Sequence, residues 1–190
     1  MKRIVLLSSQ AARTRPAAPS HARLAAYEDA LRRTAAEWTL LRPGGFASNT
    51  FAWVPSVRAA RTVAAPFADV ALPVVDPADI TAVAAAVLTG DGHAGRAYEL
   101  TGPAAISPRG QAAALGAALG EPVRFTELTR ADARAAMLGF MPGPVADGTL
   151  DILGHPTPDE QRVSPDVERV LGRPPRSYTD WAATHAAAFR

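Results

Sequence analysis

The chain has no cysteine, which removes disulfide bonds, thiolate metal sites and cysteine nucleophiles together. Lys2 is its only lysine, so the positive charge is otherwise arginine, and no interior ammonium is available to form a Schiff base or relay a proton. Aromatic residues make up only 6%. Basic residues such as Arg13, Arg32, Arg58, Arg96, Arg124 and Arg173 are scattered without the aromatic interleaving of a nucleic-acid face, and the formal net charge is only +2. No nucleic-acid partner is expected. No run approaches the ~20 apolar residues of a membrane span. The apolar start Ile4–Leu7 is too short for a signal peptide, so no membrane partner is expected and the cytoplasm is the default compartment. His21, His93, His155 and His185 lack the paired spacing of a metal centre, and no metal is expected.

What is present is ordinary globular material: 190 residues, 48% hydrophobic, enough for one domain, or one and a small lobe, around a real core. Strand and helix patterns alternate. Arg3–Leu7 is a β-branched and leucine run typical of a strand covered on both faces. The stretch from Ala11 to Ser20 carries Pro16 and Pro19 and reads as a loop. From His21 to about Ala35, Leu24, Tyr27 and Leu31 recur at helical spacing behind a Ser20 cap. Trp38–Leu41 is a second strand, ended by Arg42-Pro43-Gly44-Gly45, and the strand–helix–strand order predicts a parallel, right-handed crossover. Proline cannot donate to a ladder and glycine opens backbone conformations closed to other residues, so this turn allows main chain to approach a ligand at a strand's carboxyl end.

Beyond that turn, Phe46 to Val57 reads as a short helix or irregular excursion, and Thr62–Val75 as a hairpin around Pro66 to Asp69. Asp76-Pro77-Ala78-Asp79 is a helix start with its cap, its first-turn proline and a second carboxylate, and Gly90 stops the run. Arg96–Leu100 is a strand, Ser107-Pro108 opens a helix to Gly120, Val123–Glu127 is a strand, and Thr129 with Asp132 opens another helix. Phe140 to Pro158 reads as a loosely ordered lobe with a short helix near Val145–Leu153. Helices over Ser164–Leu171 and Ser177–Phe189 finish the pattern.

The order of a Ser8-Ser9-ended strand, a helix, the segment Glu37 to Phe46 with Asn49 close behind, Val75-Asp76-Pro77-Ala78-Asp79-Ile80, and Tyr98-Glu99-Leu100-Thr101-Gly102-Pro103 resembles the NmrA-like branch of the atypical short-chain dehydrogenase/reductases. The resemblance runs from Arg3 to Phe189 but matches only the carboxyl-terminal two-thirds of a usual member. It implies an α/β fold: a partial Rossmann-like parallel sheet over residues 1–100 that lacks the amino-terminal dinucleotide-binding strands, and a small, mostly helical substrate-side lobe over 101–190. Members begin with a strand, a Gly-x-x-Gly-x-x-Gly turn and a helix whose amino terminus holds the pyrophosphate. Here Gly44-Gly45, Gly90-Gly92-Gly95 and Gly139-Gly143 follow the wrong elements or have the wrong spacing. The cofactor implied is NAD(P), with weak or absent binding by this chain alone.

By the same resemblance, Ser8 and Ser9 stand near the nicotinamide ribose, and Pro43, Gly44, Gly45 and Phe46 line the nicotinamide end of the crevice; read from the residues alone, these are a polar strand terminus and a tight turn. Asn49, Phe51 and Trp53 are candidate substrate-pocket residues, with Asn49 alternatively a helix cap and the aromatics, together with Phe46 and Phe67, alternatively core. His21 is the catalytic candidate as a proton donor, against a solvated or capping first-turn histidine. Arg42 is placed to hold a phosphate or carboxylate, or to bridge to Asp76 or Asp79. The tyrosine and lysine pair of the wider superfamily is missing: Leu31 stands one turn after Tyr27, and Ala25 after His21. A triad of Ser9, His21 and Asp29 lacks the nucleophile elbow.

The activity implied is hydride transfer from a reduced nicotinamide to a small carbonyl or quinone-like acceptor that is apolar or planar. A redox-responsive regulatory protein of the same fold, and a gene fragment without independent role, are the other readings. If the preceding strands are absent, Arg3–Leu7 lies at an open sheet edge, and homodimerisation, a completing subunit or poor solubility is expected there.

Overall fold

The computed structural model describes residues 2–190. Among these residues five strands, β1 Arg3–Leu7, β2 Glu37–Pro43, β3 Thr62–Pro66, β4 Arg96–Leu100 and β5 Arg124–Leu128, form two parallel sheets in the orders β1-β2-β4 and β3-β5. Arg3 faces Glu37 and Leu7 faces Leu41, while Thr39 faces Arg96 and Pro43 faces Leu100. Leu40 and Leu41 are both fully buried although they point to opposite faces, as a strand covered by helices on both sides requires. The expected α/β fold with a parallel sheet is present.

Among the described residues ten α-helices surround these sheets: α1 Gln10–Thr14, α2 Ala22–Arg32, α3 Val54–Ala60, α4 Pro77–Thr89, α5 Pro108–Leu119, α6 Arg130–Met137, α7 Gly143–Gly154, α8 Pro158–Gln161, α9 Asp166–Leu171 and α10 Tyr178–His185. None is long and apolar enough to cross a membrane. The start signals work as their chemistry demands. Asp76 accepts from the Ala78 amide at 2.8 Å with Pro77 in the first turn of α4, and Ser107 accepts from Gly110 at 3.2 Å at the start of α5. Each cap satisfies an amide that a helix beginning otherwise leaves bare.

The core has two parts. Val75, Ile80, Val83, Val87 and Val167 join Leu41 and Leu100 between the three-stranded sheet, α4 and α9. Val57, Val63, Leu115, Tyr178, Trp181 and Phe189 fill the space between β3, α5 and α10. The two halves of the chain interleave: β3 pairs with β5, and α9 packs on β4.

Several local expectations are corrected. Thr62–Val75 is not a hairpin. β3 pairs with β5, the chain turns at Phe67 with φ of 55°, and its return makes only isolated bridges, Leu72 with Ile106 and Val75 with Phe46. Pro66 and Pro73 at its two ends lack the amides that a local antiparallel ladder would use. The start of the Ala11–Ser20 loop is the short helix α1, because Ser9 caps it by accepting from the Ala11 amide. Ser20 does not cap α2; His21 holds that position, and the Ser20 hydroxyl lies 2.8 Å from His21 Nδ1.

One contact fixes how the strand ends sit against the segment leading into α4. Gly102 approaches Val74 so closely that a Cβ on it would lie 2.2 Å from the Val74 carbonyl oxygen. Backbone cannot yield as a side chain tip can, so Gly102→Ala is expected to destabilise the fold by about 1–3 kcal/mol or more, read as a lower urea midpoint.

Candidate functional site

The carboxyl ends of β1, β2 and β4 lie side by side, where ligands bind in open parallel sheets. β1 delivers Ser8, Ser9 and Gln10, β2 delivers Gly44, Gly45 and Phe46, and β4 delivers Thr101 and Gly102. The turns are stitched together by main chain. Gly44 N–H donates to Leu100 O at 3.0 Å, Val75 N–H to Gly45 O at 2.8 Å, Ala47 N–H to Val75 O at 2.9 Å and Gly102 N–H to Pro73 O at 3.3 Å. Pro43 is buried and Gly45 is exposed. A Cβ at Gly45 would meet only Val74, at 3.4 Å, whereas one at Gly44 would lie 3.5 Å from Gln10 Oε1 and 3.7 Å from Pro73 O. Gly45 is thus the open surface of the turn and Gly44 its packed side.

Beneath this surface is a buried ionic cluster. The Glu28 carboxylate, 2% exposed, accepts from Ser8 Oγ at 2.6 Å, from Arg42 Nε at 3.0 Å and Nη2 at 2.5 Å, and from Arg32 Nη2 at 2.9 Å. Burial pushes the Glu28 carboxyl up, and the hydrogen bonds from Arg42 and Ser8, with the charges of Arg42 and Arg32, bring it down to below its usual range. Arg42 thus pairs with Glu28 through Nε and Nη2. The expected bridge to Asp76 or Asp79 is corrected: Arg173 and the Arg176 amide occupy Asp79 at 2.7 and 2.6 Å, and Asp76 lies 3.8 Å from Arg176. Ser8 points into this cluster, while Ser9 caps α1.

A second cluster ties α1 to α8 beside the strand ends. Glu160 is buried, accepts from Arg15 Nε and Nη2 at 2.8 Å each, from Thr14 Oγ1 at 2.6 Å and from the Thr157 amide at 2.8 Å. Arg13 bridges Glu99 and Asp159, and Gln10 Nε2 donates to Asp159 O at 3.1 Å. Burial pushes Glu160 up, but the hydrogen bonds of Arg15, Thr14 and the Thr157 amide win and hold it at about 2.

α7 packs on the loop before α2 and on Phe67. A Cβ at Gly148 would lie 2.9 Å from Ser20 Oγ, and one at Gly154 would lie 2.5 Å from two carbons of the Phe67 ring. His21 is half-buried next to Ser20, and burial lowers its pKa more than the Glu160 carboxylate raises it.

The structure gathers Ser9, Gly44, Gly45 and Phe46 at the strand ends, with Asn49 exposed on the following 3-10 turn Ala47–Trp53. Phe51 and Trp53 on that turn go elsewhere. Phe51 meets Trp181 edge-on at 5.1 Å and stacks on Phe189 at 5.9 Å, and Trp53 packs against the same core. Phe46 packs on the other core and Phe67 on Gly154 and His155. The four aromatics therefore do not make one wall, because a 3-10 turn sends successive side chains to different sides. Gln10, Arg13, Arg15, Asp159 and Glu160 were missed by sequence reasoning; only Thr157-Pro158-Asp159-Glu160, a capping-box pattern, advertised part of the set. Among the described residues no cluster of metal-ligating side chains occurs.

No family model matches the chain. It is 45% identical over 163 residues, 85% of its own length, to a (4-alkanoyl-5-oxo-2,5-dihydrofuran-3-yl)methyl phosphate reductase of Streptomyces griseus, and 38% identical over 154 residues to an NAD(P)H azoreductase of Xenophilus azovorans. It spans 58% and 54% of those proteins. Among solved structures, an NADPH-dependent quinone oxidoreductase from Escherichia coli superposes with a TM-score of 0.80 at 26% identity, over 97% of this chain and 67% of the other. A Citrobacter triphenylmethane reductase, at 18% identity over 98% of this chain and 66% of the other, gives a TM-score of 0.79 and shares the fold. The chain has the Rossmann-like α/β fold of NAD(P)-binding reductases.

The Glu160 cluster predicts a specific acid sensitivity. A carboxyl whose folded pKa of about 2 lies below its ordinary 4.5 stabilises the fold fully above pH 4.5, and that contribution is lost as pH falls towards 2. The wild type is expected to lose up to about 3 kcal/mol more than Glu160→Gln across this window. Parallel acid titrations of urea unfolding measure the difference.

Proposed function

We infer that this chain forms the acceptor-side part of an NAD(P)H-dependent reductase of the NmrA-like kind. The observation that carries the reading is the exposed Gly45 turn at the carboxyl ends of three parallel strands, held in place by backbone hydrogen bonds on both sides. The similarity to reductases supports it. The residues fit the nicotinamide end of a cofactor: Gly44 and Gly45 leave main chain uncovered, Phe46 offers half-exposed apolar surface, Ser9 retains a hydroxyl donor, and the Asn49 amide is exposed nearby. When bound, a reduced nicotinamide supplies a hydride.

The chain's own work is to orient, exclude water and manage a proton. The Glu28–Arg42 cluster fixes β1 against β2. His21 is the candidate proton donor to the reduced acceptor. The acceptors named for the relatives, an azo compound, a quinone and an unsaturated five-membered lactone, share a planar, conjugated, electron-poor centre. A flat acceptor against the Gly45 surface suits that chemistry.

The phosphate end is different. Among the described residues no parallel strand leads through a glycine-rich turn into a helix, the element that cradles a pyrophosphate in such folds. This also keeps open a regulatory reading, in which the same surface senses the cofactor without turnover. Fluorescence titration with NADPH and NADH, followed by assay on quinone and azo acceptors, tests both. A saturable but weak signal, with a dissociation constant on the order of 1 mM, is expected for the wild type. Gly45→Leu, which fills the open surface without touching packed backbone, is expected to abolish that signal and leave the urea midpoint unchanged. Micromolar binding indifferent to Gly45→Leu would place the cofactor elsewhere and end the reading; turnover separates the reductase from the sensor.

A further inference from the structure

The first residue of α1 carries a polar group that the fold uses only at one end. Gln10 stands two residues beyond Ser8 and is 5% exposed. Its Nε2 donates to Asp159 O on α8 at 3.1 Å. A main-chain carbonyl only accepts, so this bond fixes which end of the side-chain amide is nitrogen and which is oxygen. Asp159 is held in turn by Arg13 Nη1 at 2.8 Å and by Arg162 Nη2 at 3.2 Å. The Gln10 amide therefore has little freedom to turn.

The oxygen end is unspent. Among the described residues no donor reaches Gln10 Oε1, and the side-chain polar atoms that are fully enclosed without a partner are Arg13 Nη2 and Arg130 Nη1. Oε1 is thus both unpaired and reachable. It lies beside the turn at the end of β2: a Cβ on Gly44 would be 3.5 Å from it. Gly44 is half-exposed, and its lack of a side chain leaves the approach to the oxygen uncovered. This contact is on the β2 side of β1, between two strands that are paired along their length. An acceptor in a nearly buried residue normally has a donor, and one held rigidly in place beside a candidate ligand surface is suited to take its donor from the ligand.

We propose that Gln10 selects the cofactor: Oε1 accepts from the carboxamide N–H group of a reduced nicotinamide, while Nε2, bonded to Asp159 O, holds that oxygen in position. The proposal rests on reading the Gly44-Gly45 turn as the nicotinamide end of the site. The chemistry of the possible ligands selects the carboxamide. A quinone or an azo compound presents lone pairs but no N–H or O–H at its conjugated centre, so it has nothing to give Oε1. The amide substituent of the nicotinamide ring is an N–H donor. Glutamine is also the residue type that meets both demands, one end donating to a carbonyl and the other accepting from an amide. The consequence is discrimination, because a site with a poorly solvated acceptor rejects an analogue that lacks the matching donor.

NMR titration of the isotope-labelled chain with NADH and with reduced 3-acetylpyridine adenine dinucleotide, in which a methyl ketone replaces the amide, isolates that donor. The wild type is expected to bind NADH about 3–10-fold more tightly than the analogue, the net worth of one neutral hydrogen bond after exchange with water. NADH, and not the analogue, is expected to shift the Gln10 side-chain amide resonance. Gln10→Met keeps the length of the side chain without the acceptor and is expected to bind both dinucleotides equally. Gly44→Ala places a methyl in ordinary contact with Oε1, 3.7 Å from Pro73 O, and is expected to reduce the preference while the urea midpoint stays unchanged. The two ligands are compared within each variant, so a general loosening of α1 does not imitate the effect. Equal affinities in the wild type, or a preference that Gln10→Met retains, overturn the proposal and leave the functional reading standing. No saturable binding of either dinucleotide ends both.

Discussion

A buried carboxylate holds the first half of this molecule together. Glu28 has left water completely, and such a group is tolerable only when its charge is matched and its lone pairs are occupied. Ser8 from β1, Arg42 from β2 and Arg32 from its own helix supply what is needed. One side chain of α2 thereby fixes the helix over two adjacent strands, close to where both strands end. The position of the Gly44-Gly45 turn relative to Ser9 and Gln10 follows from that arrangement. The cluster's value is in specifying geometry; its net contribution to stability is expected to be modest, because desolvation offsets much of the Coulomb attraction.

The opposite side of the strand ends is built from a different material. Gly44, Gly45, Pro73, Val75 and Leu100 meet through main-chain hydrogen bonds, and Gly102 meets Val74 at a separation that excludes any side chain. Backbone packed on backbone leaves little freedom of position. A surface of this kind presents fixed dipoles and small steric bulk to whatever lies against it, which suits a flat ligand better than a bulky one.

The fold was largely legible in the sequence because its signals are local. The β-branched run Arg3–Leu7, the cap at Asp76 with Pro77 behind it, and the Ser107-Pro108 start each state their structure within a few residues. The errors fell where the decisive interaction is remote. Thr62–Pro66 looked like half a hairpin because nothing near it announces β5, some sixty residues away. Arg42 was read towards Asp76 or Asp79 because the sequence gives no distance to Glu28, and Phe51 and Trp53 were grouped with Phe46 by proximity along the chain rather than in space. Gln10 and Glu160 were invisible for the same reason. A glutamine after a strand and a glutamate in a capping box are common, and only the folded chain brings α1 onto α8.

The two glycines that make α7 fit its neighbours also set its character. Gly143 and Gly154 stand at the two ends of this helix, and Gly148 lies in its interior, where glycine costs about 1 kcal/mol against alanine. Gly148 yields room to Ser20 and Gly154 yields room to the Phe67 ring, so the same residues that weaken the helix in isolation let it dock closely. Its order is borrowed from the surfaces it rests on. Ala146 and Leu150 on the same helix are fully buried, so packing rather than intrinsic preference is what keeps α7 helical.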